Sequence, residues 1–233
     1  MNVTEAIRSR RSIRAFLDRP VPDAVLREVL STAARAPSGG NLQPWRLYVL
    51  SGATMGRFKQ LMEQRIQDAP GGEPTEYDIY PPNLWDPYRT QRYALGEQMY
   101  ALLGVGREDK LGRTRQFARN YQFFGAPAGL MCYVDRRLGA PQWADLGMYL
   151  QSVMLLLRER GLHSCPQECW SVYHETVDAF VGAPAEWMLF CGMSIGHADD
   201  SAPVNGLASE RAPLEQFATF LDERTTSPPD AAP

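Results

Sequence analysis

Apolar residues recur along this chain at two spacings, one helical and one extended, and they divide it into alternating blocks. Across residues 22–36 the positions Leu26, Val29, Leu30, Ala33 and Ala34 form an i, i+3, i+4, i+7, i+8 stripe, which predicts an amphipathic helix. Pro37-Ser38-Gly39-Gly40 stops it, because a proline and two glycines cannot extend the pattern. Residues 46–50 then place aromatic and β-branched side chains between turn signals and read as a strand. Residues 53–68 read as a helix, and further helices are expected at 91–106 and 113–121. Strands are expected at 128–135 and 187–194. Between them Trp143, Leu146, Leu150, Val153, Met154 and Leu157 give one segment the face of a central buried helix.

Helices outnumber strands, and long helical segments separate one strand from the next. That pattern predicts an α+β fold, a three-layer α/β arrangement, with residues 1–224 as one domain. The segment 69–90 interrupts it: Pro70, Pro74, Pro81, Pro82 and Pro87 forbid regular structure, while Tyr77, Tyr80 and Trp85 are too apolar for a simple linker. A lid or interface excursion is expected there. Residues 225–233 are small, polar and proline-rich, and disorder is expected.

Composition narrows the function. The 233 residues carry a formal charge of −3, which supplies no electrostatic footprint for nucleic acid. No apolar run approaches the ~20 residues that span a bilayer, and the first residues have no apolar signal core. Four cysteines do not suggest a disulfide framework, so a cytoplasmic location is expected.

Four polar segments carry candidate chemistry. The first is Arg8-Ser9-Arg10-Arg11-Ser12-Ile13-Arg14, by itself an ordinary solvated basic turn, yet its guanidinium forks and hydroxyl also suit a phosphate or a polar ring edge. The second, Ala36-Pro37-Ser38-Gly39-Gly40-Asn41-Leu42-Gln43-Pro44-Trp45, ends a helix. Its glycines would let backbone approach a ligand that Ser38, Asn41 and Gln43 could bind. The third is the turn-rich run 161–168, Gly-Leu-His-Ser-Cys-Pro-Gln-Glu. The fourth runs from Gly192-Met193-Ser194-Ile195-Gly196-His197 through Ala202-Pro203-Val204-Asn205 to Glu210-Arg211-Ala212-Pro213.

In this order the four segments resemble the nitroreductase family of flavoproteins, and within it the nitrobenzoate-reductase-like branch. The resemblance extends over residues 4–221. It implies a central, mostly antiparallel sheet flanked by helices, and a homodimer with FMN at the subunit interface. NADH or NADPH would be the reductant, in ping-pong turnover with a small oxidised acceptor such as a nitroaromatic. Arg10, Arg11, Ser12 and Arg14 match the stretch that holds the phosphate and the pyrimidine edge of the flavin. Pro37, Ser38, Gly39, Asn41 and Gln43 match the stretch that the other subunit contributes. Pro166 and Gln167 match a turn whose backbone faces flavin N5, and Arg211 matches a phosphate-binding arginine. Some members carry a second basic residue just before that arginine, where this chain has Ser209 and Glu210. Reduction leaves negative charge near flavin N1 and O2, and Arg14 is the candidate cation there.

Other signals compete. Gly192-Met193-Ser194-Ile195-Gly196 matches the G-x-S-x-G elbow of serine hydrolases, but the following Asp199, Asp200 and Pro203 oppose the helix that the motif requires. Gly104-Val105-Gly106 lacks the third glycine of a dinucleotide fingerprint. Cys165 and Cys169 have no clustered partner ligands, so no metal is expected, while Cys132 and Cys191 read as core residues. A non-enzymatic flavin-storage protein, a flavin reductase, an oxidase and a dehalogenase are the alternatives on the same scaffold.

Overall fold

A computed structural model describes residues 1–221; the disorder expected for 225–233 lies outside the described residues. Seven consecutive apolar or small residues followed by Asp135, bounded by Pro127 and Arg136, make the strand β2, Ala128–Asp135. It lies in a four-stranded antiparallel sheet with β1 (Arg46–Ser51), β3 (His163–Gln167) and β4 (Trp187–Gly196), in the order β1-β2-β4-β3. Alternation along β2 sends Leu130, Cys132 and Val134 to one face and Met131 and Tyr133 to the other, so both faces are buried.

Seven α-helices are described: α1 (Val3–Ser9), α2 (Asp23–Ala33), α3 (Gly52–Asp68), α4 (Tyr88–Leu102), α5 (Lys110–Ala118), α6 (Ala140–Glu159) and α7 (His174–Val181). The first face of the sheet receives Leu26 and Val29 of α2 with Leu146, Val153 and Leu157 of α6. The second receives Met55, Phe58 and Met62 of α3, with Trp170 and Tyr173 from the turn before α7. Helices on both faces of an antiparallel sheet give the three-layer α+β arrangement read from the sequence.

Three differences from the sequence reading have local causes. The run around Pro166 is a strand, not a turn or helix connection. It pairs antiparallel with β4, Pro166 opposite Met193, and a proline is tolerated because β3 is a sheet edge toward which only the short 12–16 segment bends. Helix α4 starts at Tyr88, directly after Pro87, and ends at Leu102 before the positive-φ Gly104. Helix α5 starts at Lys110, where the Asp109 carboxylate accepts the Gly112 N–H, and past Ala118 the chain tightens into a 3₁₀ turn over Arg119–Gly125.

The proline-rich segment is anchored at its start. Glu73 is buried against Arg65 and the Thr176 hydroxyl. A β-bulge in the β2–β4 pairing leaves Phe190 without a partner opposite it, and the Tyr77 hydroxyl donates to the Phe190 carbonyl. Further on, Tyr80 and Trp85 are exposed.

Candidate functional site

The basic segment after α1 is extended rather than helical. The Arg10 N–H closes α1 by donating to the Ala6 carbonyl, and Ile13 N–H then donates to the Ser164 carbonyl at 3.0 Å. This short parallel bridge to the edge of β3 imposes a period of two: Ile13 and Ala15 are buried, while Ser12 and Arg14 turn toward a cavity. The cavity has a volume of about 1130 Å³, and Arg10, Arg11, Ser12, Arg14 and Arg211 all line it. Residues two hundred positions apart in the chain thus converge on one concave surface.

Asn205 is what holds the two ends together. Its buried side chain accepts the Arg14 N–H at 2.8 Å and donates to the Ala15 and Asp199 carbonyls, each at 2.8 Å. The Arg11 guanidinium reaches the Asn205 carbonyl at 3.4 Å. The Arg14 guanidinium donates to the Ser12 carbonyl at 3.2 Å, which leaves its remaining N–H groups for the cavity. Sequence reasoning did not assign Asn205 a role; its signal was the Pro203-Val204-Asn205 run itself, a polar residue in a proline turn.

The electrostatics favour an anion. Burial and the neighbouring Arg211 both hold the Arg10 guanidinium below its ordinary range. Neither arginine forms an ion pair among the described residues, and Arg211 donates only to the Ser209 and Glu210 carbonyls and the Ser209 hydroxyl. Glu210 also lines the cavity, as the carboxylate standing beside these cations. Beneath them burial pushes the Cys165 thiol up to about 11, against the opposing pull of Arg14, Ser12 and Arg10. That thiol is a packed neutral group, not a nucleophile.

The other sequence candidates lie outside this cavity. Pro37, Ser38, Gly39, Asn41 and Gln43 form an exposed turn after α2 in which the Gly39 N–H donates to Asp145 and the Ser38 hydroxyl oxygen accepts the Gln43 N–H at 3.0 Å. Asn41 and Gln43 both hold positive φ, which requires a local reason for non-glycine residues and here exposes their side chains. Pro166 is exposed, whereas the Gln167 side chain points into the core: it accepts the Ser194 hydroxyl at 2.7 Å and donates to the Asn120 carbonyl at 2.7 Å. Only the backbone of Gln167 is left for a ligand.

The hydrolase motif dissolves in three dimensions. Ser194 sits inside β4, fully buried, with its proton given to Gln167. A Cβ on Gly192 would lie 2.3 Å from the Trp170 ring, and one on Gly196 2.8 Å from Pro127, so close packing accounts for both glycines. No strand–turn–helix elbow exists there.

The nitroreductase family model matches residues 7–197. The chloronitrobenzene nitroreductase of Comamonas testosteroni is 39% identical over 95% of this chain and 97% of its own length. The 4-nitrobenzoate reductase of Pseudomonas putida is 35% identical over 92% and 93% of the two chains. Among solved structures, the FMN- and NADPH-dependent nitroreductase NfnB from Sphigopyxis sp. strain HMH superposes with a TM-score of 0.92 at 48% identity, covering 95% of this chain and 100% of that one. NfnB from Mycobacterium smegmatis, solved with NADPH, gives a TM-score of 0.89 at 31% identity over 94% and 97%. The chain therefore belongs to the nitroreductase family.

Proposed function

We propose that this protein is a cytoplasmic FMN-dependent oxidoreductase that takes hydride from NADPH or NADH and delivers it to a nitroaromatic acceptor. In this reading it works as a homodimer with FMN at each subunit interface. The observation that carries the proposal is the meeting of Arg10, Arg11, Ser12, Arg14 and Arg211 on one cavity with no carboxylate bonded to any of the guanidinium groups among the described residues. Burial and the neighbouring Arg211 depress Arg10, and a phosphate placed between the two guanidinium groups would relieve that repulsion, so the residues fit a flavin mononucleotide. The relatives' names supply the nitroaromatic acceptor and the NADPH. All four cysteines are free, as a reducing compartment requires.

When bound, FMN supplies a two-electron relay that oxidises the nicotinamide and reduces the acceptor. The protein's part is to bind and orient. Arg10, Ser12 and Arg211 hold the phosphate. Arg14, fixed through its own N–H by Asn205, supplies positive charge to the pyrimidine edge. The backbone at Pro166 and Gln167, stiffened by the Gln167–Ser194 bond, would face the flavin as the family resemblance implies. Donor and acceptor take turns in the same cavity, which is ping-pong turnover. The exposed turn of Pro37, Ser38, Gly39, Asn41 and Gln43 serves the cavity of the partner subunit, since it contributes nothing to its own.

Denaturing the purified protein and chromatographing what is released tests the reading. One FMN per chain is expected, from a protein that sediments as a dimer. Release of FAD, or no flavin after reconstitution, refutes it; a flavin-saturated monomer refutes the interface assignment.

A further inference from the structure

The cavity holds one cation more than the flavin assignment uses. Arg92 lies on α4, and its guanidinium carbon sits 4.3 Å from the centroid of the Tyr80 ring. Other arginines of this region have carboxylate partners: Arg89 pairs with Asp86, and Arg107 and Arg113 share Glu97. Arg92 forms no ion pair among the described residues. Cation–π attraction to Tyr80 holds the guanidinium, which with no carboxylate partner among the described residues keeps N–H donors for an anion. Around it the wall combines Tyr80, Leu84, Tyr88 and Leu95 with the polar Gln91 and Gln98.

Charge and volume point the same way. The lining contains the guanidinium groups of Arg10, Arg11, Arg14, Arg92 and Arg211 and the single carboxylate of Glu210, four positive charges net. A flavin phosphate brings about −2, and a reduced flavin ring about −1, so one cation stays unbalanced. At about 1130 Å³ the cavity also exceeds the usual volume for one small ligand.

We propose that Arg92 and the Tyr80–Tyr88 wall form an anion-recognising subsite for the second ligand, a co-substrate that carries a carboxylate or phosphate on an aromatic or nucleotide body. The inference rests on the flavin-dependent reading and deepens it: the enzyme selects a co-substrate that carries this anionic group over the counterpart that lacks it. Two sources share that chemistry, the carboxylate of an acceptor such as a nitrobenzoate and the 2′-phosphate that distinguishes NADPH from NADH.

The test titrates the FMN-loaded protein by calorimetry with two matched pairs of probes, benzoate against benzamide and 2′,5′-ADP against 5′-AMP. Wild type is expected to favour the member that carries the extra carboxylate or 2′-phosphate in one pair by about tenfold or more, the size of one charge-assisted contact. In R92Q that preference disappears while affinity for the member without that group stays, and in R92K most of it returns. Arg92 is exposed, so these variants keep the fold. Loss confined to the benzoate pair assigns the subsite to the acceptor; loss confined to the 2′,5′-ADP pair assigns it to the reductant. Equal binding of both members by wild type overturns the proposal, as does a preference that survives in R92Q. A variant that loses FMN while keeping both preferences also overturns it, making Arg92 a flavin ligand. Failure of the flavin-dependent reading shows separately, as wild type that carries no FMN before any probe is added.

Discussion

Replacing Arg14 isolates the electronic contribution of the protein from its grip on the phosphate. Arg14 is half-buried at the cavity wall, its backbone is held by Asn205 at 2.8 Å, and its guanidinium is steadied by the Ser12 carbonyl at 3.2 Å. A cation so restrained needs little reorganisation to meet the charge that reduction places on the flavin pyrimidine. A charge-assisted contact of this kind is worth about 1.5–3 kcal/mol. For a two-electron couple about 1.4 kcal/mol corresponds to roughly 30 mV, so Arg14→Ala should lower the midpoint potential of bound FMN by roughly 30–65 mV. Reduction by nicotinamide should slow in step, and Arg14→Lys should recover much of both. The assay is an anaerobic spectroelectrochemical titration of each variant at matched flavin occupancy. An unchanged potential and reduction rate, with only FMN affinity altered, would refute the electronic role and make Arg14 a phosphate ligand.

Other substitutions separate the remaining roles. Arg211→Ala should raise the FMN dissociation constant about 10- to 100-fold by losing one charge-assisted contact, and leave the potential of retained flavin unchanged; fluorescence of released FMN reports it. Ser194→Ala leaves Gln167 without a buried donor and should cost about 1–3 kcal/mol in chemical denaturation while turnover persists; abolished turnover with intact stability would restore a catalytic serine. Burial, and then Arg158, hold His163 down to about 4 in the folded chain, below its ordinary 6.5. The folded state therefore resists protonation, so stability is full above pH about 6.5 and falls as pH drops toward about 4. After discounting for partial exposure the loss is about 1–2 kcal/mol, and His163→Asn should flatten that slope in denaturation midpoints taken across the window.

Legibility of the chain followed how local each signal was. Strand β2 could be read to the residue, and the buried face of helix α6 could be read without its ends, because their apolar runs are long and bury on their own periodicity. Strand β3 could not, since His163, Ser164, Pro166 and Gln167 carry no strand pattern, and only pairing with β4 makes them extended. Helix α4 was displaced by a few residues because it has no buried residue and packs weakly, which leaves little periodicity to read. In the site, Arg10, Arg11, Ser12, Arg14 and Arg211 were legible through their ordered resemblance to a family. Asn205 was not, because its role is to bond backbone groups 190 and 191 positions away, a contact that no spacing encodes. The G-x-S-x-G match shows the reverse error: two glycines demanded by Trp170 and Pro127 imitate a catalytic elbow.

The most direct test of a flavin relay between nicotinamide and nitroaromatic is a single anaerobic experiment on the purified yellow protein. NADPH is added first while the flavin absorbance is followed, and a nitroaromatic such as 4-nitrobenzoate is added after the nicotinamide is spent. The expected result is bleaching by one equivalent of NADPH per flavin, then return of the colour with matching loss of the nitro compound. A flavin that stays oxidised with NADPH, or that bleaches and is never reoxidised by any nitroaromatic, would contradict the proposed function.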